Sequence, residues 1–301
     1  MQFVTVIQAG IAAMALLFGY YLVKVPNKKE KIAKSNASWT SLSIFGAITM
    51  FFDTLGIGCY APLTAIFKFF KMVPDRLIPG TLNTCCVFPM AVESLIFITI
   101  IQVDPLTLIS MIVASSLGAF FGAGIVANLP EKKIQLGMGI ALFVVALTMI
   151  AGQLDLMPIG GDAIGLTGGK LIIAIIVSLI LGALMTIGIG AYAPMMALVY
   201  ALGMSPRVSF PIMMGSCAFL IPTAGIKFVK EGAYDYKSNI AIPLAGLIGI
   251  FIAAYIVKEI PLTMLRWLII CVIIYTSVVM FRSAIKNKPE MEAENTITSE
   301  V

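Results

Sequence analysis

The chain has 301 residues, of which 60% are hydrophobic and only 12% are charged, and its formal net charge is +5. A soluble domain is closer to half apolar and a quarter charged, so this composition excludes an ordinary soluble protein and predicts an integral membrane protein surrounded by lipid. The charges fall in short clusters without a basic, aromatic-rich stripe, which argues against nucleic-acid binding.

The residue types present also argue against an enzyme. The chain has no histidine, which removes Ser-His and Cys-His dyads and imidazole metal sites. No nucleotide-binding G-x-x-x-x-G-K-[ST] motif is present. We therefore expect no cofactor, no metal and no catalytic residue. We interpret the five cysteines as small buried apolar side chains rather than as disulfides: Cys59, Cys85, Cys86, Cys217 and Cys271.

The first predicted element is a membrane helix near 3–24. Lysines follow this apolar run instead of preceding it, which favours a retained helix over a cleaved signal peptide. A lysine-rich linker, 24–39, comes next. Six further apolar runs have about the 20 residues that cross ~30 Å of hydrocarbon. They are 79–101, 105–128, 134–154, 208–229, 239–257 and 263–281.

Two apolar segments, 40–71 and 171–203, are too long for one span and short for two. Each is interrupted in the middle by two glycines and a proline, which break a helix and expose backbone polar groups. Such backbone is tolerated at membrane depth only where protein or a cavity shields it. We predict a broken-helix hairpin in each segment.

The two breaks are copies of one motif. T-L-G-I-G-C-Y-A-P at 54–62 recurs 132 residues later as T-I-G-I-G-A-Y-A-P, with seven of nine positions identical. We predict an all-α membrane protein with two repeats, each a broken hairpin plus three membrane helices. The predicted parts are an N-terminal helix with a basic cytoplasmic linker (1–39), repeat 1 (40–154), an extracytoplasmic loop (155–170), repeat 2 (171–283) and a polar cytoplasmic tail (284–301).

The distribution of basic residues favours re-entrant hairpins. If both broken segments crossed the membrane, the 20 Lys and Arg residues would divide 12 inside to 8 outside. If both return to the side they entered, the division is 16 to 4, which satisfies the positive-inside rule better. The halves then have inverted topology, a common plan for secondary transporters. The N-terminus lies outside and the C-terminus in the cytoplasm.

Inverted hairpins place two helix N-termini at the bilayer midplane. Their N–H groups and positive dipole ends can bind an anion without a buried arginine. Hydroxyl groups from the tips and from the polar start of the next helix can add donors, although such residues also glue helices together. The candidate substrate-binding residues are Thr54, Gly56, Gly58, Cys59, Tyr60, Asn83, Thr84, Thr186, Gly188, Gly190, Tyr192, Ser216 and Cys217.

Two acids lie inside predicted apolar segments. Asp53 precedes the first motif, where the second copy has Met185, and Glu93 lies within 79–101. An ionisable group at membrane depth is a functional candidate, so either acid can carry a coupling proton. The alternative is a buried acid that is hydrogen-bonded for structure.

The motifs resemble those of the sulfite exporter TauE/SafE family. The resemblance rests on T-L-G-I-G-C-Y-A-P-L at 54–63, G-A-L-M-T-I-G-I-G-A-Y-A-P-M at 182–195, P-I-M-M-G-S-C-A-F at 211–219 and G-G-D-A-I-G-L-T-G-G-K at 160–170. It covers nearly all of 40–283 and implies a permease of the inner or plasma membrane for small anions, typically sulfite or organosulfonates. The copies differ at Cys59 and at Asp53, so the two tips are not equivalent.

The function expected from these features is secondary transport of a small anion by alternating access, in contact with lipid and with a proton as the coupling ion. A passive anion channel, a carrier for another sulfur or carboxylate anion, and a membrane enzyme or assembly partner are the alternatives. The residue pattern leaves the oligomeric state open.

Overall fold

The computed structural model describes residues 2–55, 57–156, 161–188, 192–205, 208–256 and 263–286. Within these ranges the chain forms thirteen α-helices and no strand. The helices are α1 (Gln2–Val23), α2 (Lys28–Ala33), α3 (Trp39–Thr54), α4 (Tyr60–Phe69), α5 (Ile78–Cys85), α6 (Val87–Ile100), α7 (Pro105–Val126), α8 (Glu131–Gln153), α9 (Gly168–Met185), α10 (Tyr192–Ala201), α11 (Ser209–Glu231), α12 (Ser238–Ile256) and α13 (Thr263–Lys286).

Five helical segments of the described chain are long and apolar enough to cross a membrane, or six if α5 and α6 form one bent span. Four of the five are predicted single spans, in α1, α7, α8 and α11. The fifth is α9, which the sequence indicated only as the first arm of a hairpin. The helices α12 and α13 lie where two further spans were predicted. The chain is therefore a multi-pass membrane protein.

The predicted span 79–101 is interrupted at Cys86, where α5 and α6 meet at a bend of 40°. Pro89 follows three residues later and has no N–H to donate to the carbonyl of Cys85, so the helix cannot continue regularly through this point. By contrast, α11 continues through Pro222 as one helix. The first repeat thus has a second break close to its hairpin tip.

The first broken segment returns to the side on which it entered. Phe45 lies in the first half of α3, and Phe70 is the C-cap of α4. Their ring centroids are 5.1 Å apart. The end of α4 therefore lies beside the beginning of α3, which makes this segment a hairpin.

The second broken segment also returns. Lys170, near the start of α9, donates to the carbonyl of Leu202, just after α10, at 3.1 Å. The N–H of Ser205 donates to the carbonyl of Ala163 at 2.8 Å. The residues before α9 and after α10 are therefore neighbours, so the predicted second hairpin is confirmed.

One side of the bundle, here called the basic face after Lys71 and Lys237, holds the open end of the first hairpin. Lys237 binds the carbonyl of Ala37, two residues before α3 begins. The N–H of Asp235 donates to Thr81 Oγ1, near the start of α5, at 2.9 Å. The starts of α3, α5 and α12 are therefore on this face.

The opposite face holds the open end of the second hairpin. The α5–α6 pair starts at the basic face and leads to Asp104, whose N–H donates to the carbonyl of Ile164 at 2.9 Å. Ile164 lies four residues before the start of α9, in the same loop as Ala163. The two hairpins therefore open on opposite sides, and the two repeats have inverted topology, as predicted.

The two repeats exchange the first arms of their hairpins, so that each first arm packs against a helix of the other repeat. The arm α3 packs along α12 of the other half, and α9 packs along α7. These equivalent crossings are very close: a Cβ at Gly118 would lie 1.9 Å from the carbonyl oxygen of Leu179, and a Cβ at Gly249 would lie 2.1 Å from that of Ala47. Glycine is required in both crossings because the backbones touch.

Candidate functional site

The backbone at each hairpin tip adopts a conformation that favours glycine. Gly58 has φ 88° and Gly188 has φ 99°, both in the left-handed region. A Cβ at Gly188 would lie 3.0 Å from Met138 Cε. Two other candidates, Gly56 and Gly190, lie outside the described residues. The glycines that break the helices therefore form tight turns, of which Gly188 is buried and Gly58 is half-buried.

The tip of the first hairpin leads directly into α4. Cys59 is the N-cap residue, and its carbonyl accepts a hydrogen bond from the N–H of Leu63 at 2.9 Å. The Asp53 carboxyl group interacts with the backbone N–H and thiol of Cys59. The Asp53 carboxyl group therefore lies near the start of α4.

Two acids meet behind this tip. The Asp53 carboxyl group interacts with that of Glu93, and Thr54 Oγ1 donates to Glu93 Oε1 at 2.7 Å. Asp53 is 3% exposed and Glu93 is 0% exposed. Asp53 Oδ2 and Glu93 Oε2 have no hydrogen-bond partner. The two candidate coupling acids, which lie 40 residues apart, therefore form one buried pair.

A polar bridge connects the two repeats at the same depth. Tyr60 OH donates to Asn83 Oδ1 at 3.4 Å, and Asn83 Nδ2 donates to the carbonyl of Pro79 at 2.9 Å. The same Nδ2 reaches the carbonyl of Met185 at 3.4 Å, at the end of α9. Asn83 thus contacts both hairpins.

A row of thiols lines the same region. The sulfur of Cys86 lies 3.8 Å from the sulfurs of both Cys59 and Cys85. Cys217 from the second repeat lies within electrostatic range of the acid pair and of Cys59. All four are buried and free, as expected, whereas Cys271 is exposed.

Two residues of this region, Cys86 and Ser94, were not predicted as site residues from the sequence. Cys86 lies at the α5–α6 break and contacts the tip, and Ser94 is fully buried beside Glu93 in the chain with no partner for its hydroxyl. The signal available for Cys86 was Pro89, which places a helix break three residues before it.

Several predicted residues contribute less than expected. Thr84 donates to the carbonyl of Gly80 at 2.7 Å, and Thr186 donates to that of Ala183 at 2.6 Å, so both hydroxyl groups are satisfied within their own chain segments. Ser216 is 1% exposed and its hydroxyl has no partner, which leaves it available to a ligand. The side chain of Tyr192 lies outside the described residues.

The described part of the chain contains no cluster of three or more His, Cys, Asp or Glu residues arranged to hold a metal ion. Six side chains of the candidate site are at most 5% exposed: Asp53, Thr54, Cys59, Tyr60, Asn83 and Glu93. This polar cluster of the described residues is therefore buried in this conformation. Its chemistry is that of two carboxyl groups, a hydroxyl, an amide and thiols around a helix N-terminus.

Comparison with known proteins assigns the chain to a family. The family model for Sulfite exporter TauE/SafE matches residues 2–149 and 170–299. The chain belongs to the TauE/SafE family. Each matched stretch contains one hairpin, in agreement with the two repeats. A search of curated proteins and a search of solved structures found no match.

Membership of the TauE/SafE family gives the class of function. Its members are transporters, not enzymes, and the family is that of membrane transporters of sulfite and related sulfur anions. The resemblance found from the motifs is thereby confirmed.

Proposed function

We propose that this TauE/SafE protein is a secondary transporter of sulfite or an organosulfonate that works by alternating access. The anion is held between the two hairpin tips near the centre of the membrane. Thr54, Cys59, Tyr60 and Asn83 line the first tip. The Ser216 hydroxyl and the backbone at Gly188 contribute from the second repeat.

The observation that carries this proposal is the pair of hairpins that enter from opposite faces and meet in a buried polar cluster. A small anion needs donors and a positive potential, and helix N-termini supply both without a fixed cation. Because each tip belongs to an inverted repeat, a rocking motion of one repeat against the other opens the same site to each face in turn.

A passive channel for the same anion is the second candidate, and other sulfur or carboxylate anions are alternative substrates. The burial of the polar cluster favours a carrier, because a carrier must close around its substrate whereas an open pore keeps a continuous water path. We place the basic face in the cytoplasm by the positive-inside rule, which puts the N-terminus outside the cell membrane and the C-terminus inside.

Uptake into proteoliposomes tests the proposal. We expect the purified protein to take up sulfite, and to show counterflow when the vesicles are preloaded with unlabelled sulfite. Sulfoacetate, taurine, thiosulfate and acetate are compared in the same assay, with and without a pH gradient. Uptake without counterflow would support the channel, and no movement of any of these anions would contradict the substrate assignment.

A further inference from the structure

The helix α11 is buried along most of its length, but one stripe of its surface is not. From Pro211 to Lys230, the residues that are not buried are Phe219, Thr223, Ile226, Lys227 and Lys230. Positions that are three, four, seven, eight or eleven residues apart share one side of a helix, so these five form a continuous stripe. The stripe begins with an aromatic ring and ends with two lysines.

The stripe forms the floor of a groove between α1 and α7, which both pack against α11. A Cβ at Gly10 of α1 would lie 2.9 Å from the ring of Phe219. A Cβ at Gly124 of α7 would lie 3.1 Å from the ammonium nitrogen of Lys227. One wall of this groove, here called the α11 groove, is therefore α1, and the other is α7.

The two lysines at the end of the α11 groove lie against aromatic rings of its walls. Lys227 Nζ is 3.8 Å from the ring centroid of Phe120 on α7, and Lys230 Nζ is 4.9 Å from that of Tyr21 on α1. A ring holds an ammonium group in place by a cation–π contact but does not cancel its charge. Phe120 is 46% exposed, so this end of the groove faces the lipid.

No carboxylate neutralises these lysines in the part of the chain that the structure describes. The salt bridges there involve other lysines, in the pairs Lys34–Glu30 and Lys68–Asp75. Lys24 at the end of α1 adds a third ammonium group, 4.3 Å from the ring centroid of Tyr20. This end of α11 is on the basic face, because Asp235 follows it closely and bonds to the start of α5. The mouth of the groove is therefore positively charged.

We propose that the α11 groove binds one anionic phospholipid from the leaflet on the basic face. The lipid phosphate is bound by Lys227 and Lys230, and one acyl chain lies along Phe219, Thr223 and Ile226. The occupant is an amphiphile because the groove joins an apolar floor to a cationic mouth. It is anionic because a zwitterionic headgroup would bring another cation to ammonium groups that already lack a counter-charge. Long lysine side chains near helix ends reach headgroups in this way, and basic pockets between membrane helices bind anionic lipids.

The test is the affinity of the purified, delipidated protein for its first molecule of phosphatidylglycerol, measured by native mass spectrometry. Phosphatidylcholine with the same acyl chains is the reference lipid. Each lysine near an anionic headgroup contributes about fivefold in affinity. The double variant Lys227→Gln, Lys230→Gln should therefore bind phosphatidylglycerol about 25-fold more weakly and bind phosphatidylcholine as before.

The matched control is the double variant Lys29→Gln, Lys34→Gln, which removes the same charge from two exposed lysines of the linker. Its affinity for phosphatidylglycerol should change by less than about threefold, because exposed charges away from the groove are screened by salt. Lys227→Arg with Lys230→Arg keeps both charges and should keep the preference for phosphatidylglycerol. Lys230→Gln alone, at an exposed position, is the second variant if the double variant does not fold, and should cost about fivefold.

Three results would overturn the inference. The first is equal affinity of the unchanged protein for the two lipids. The second is an equal loss of phosphatidylglycerol binding in the matched control, which would indicate a general attraction of anionic lipid to the basic face. The third is displacement of phosphatidylglycerol by glycerol 3-phosphate, which has the phosphate but no acyl chain and would indicate a site for a free anion. Sulfite uptake is measured separately, so the proposed transport stands or fails independently of this site.

Discussion

Gly118→Ala and Gly249→Ala are each expected to destabilise the protein strongly and to a similar extent. The new Cβ would lie 1.9 Å and 2.1 Å, respectively, from a carbonyl oxygen of the crossing helix. Backbone cannot move aside as a flexible side chain can, so the helices must separate along the whole crossing. We expect a loss of at least about 3 kcal/mol for each variant, at the upper end of overpacking effects.

The matched control for this prediction is Gly152→Ala in α8. A Cβ there would have no atom within 4 Å, so the substitution should be neutral or stabilise the helix by up to about 1 kcal/mol. The Tm of all three variants is measured in detergent, from the fraction of protein that stays monodisperse on heating. Equal Tm values for Gly118→Ala and Gly152→Ala would contradict the close crossing of α7 and α9.

The second large effect is expected at the hairpin tips. Gly58→Leu and Gly188→Leu place a side chain in the proposed binding space and force an unfavourable backbone conformation at φ 88° and 99°. We expect transport of sulfite to fall by at least about tenfold, because a small displacement of positioning groups is costly. The protein should remain folded, although backbone strain of about 1–3 kcal/mol will lower its Tm.

Gly232→Leu separates this effect from strain alone. Gly232 is also in the left-handed region, at φ 67°, but it is the exposed C-cap of α11 and has open space around it. The variant should lose stability from the same backbone cause and keep transport near normal. If the two tip variants transport as well as Gly232→Leu does, the site is not at the tips.

Much of the fold was predictable because the repeat is visible in the sequence. The glycine and proline motif marks both hairpin tips, and the distribution of lysine and arginine indicates that the hairpins open on opposite sides. Both signals are local, since a helix break and a charged loop each act on their own part of the chain.

The exchange of first arms between repeats was not predictable in the same way. Gly118 and Gly249 stand 131 residues apart, one fewer than the offset between the two motifs, but a glycine in a sequence does not reveal which helix it contacts. The contacts of Gly118 with Leu179 and of Gly249 with Ala47 depend on tertiary packing. Helix pairing in a membrane is set by such close fits rather than by hydrophobic pattern.

The residues of the candidate site were named from the sequence, but their contacts with one another were not. Asp53, Thr54 and Glu93 form one cluster, although the sequence indicated the two acids only as separate candidates. The hydroxyl groups of Thr84 and Thr186 bind their own helical carbonyls instead of facing a ligand. Sequence could not distinguish these cases, because a threonine in a helix satisfies its hydroxyl locally whenever the rotamer allows it.

The inverted hairpins are tested most directly by labelling single cysteines with a membrane-impermeant maleimide. Lys71→Cys and Ala201→Cys place accessible thiols just beyond α4 and at the end of α10, where both native side chains are exposed. The native protein, whose cysteines are buried apart from Cys271 on α13, gives the background. We predict that position 71 is labelled only from the cytoplasm and position 201 only from outside. Labelling of both positions from the same side would contradict the inverted repeats and the shared site between their tips.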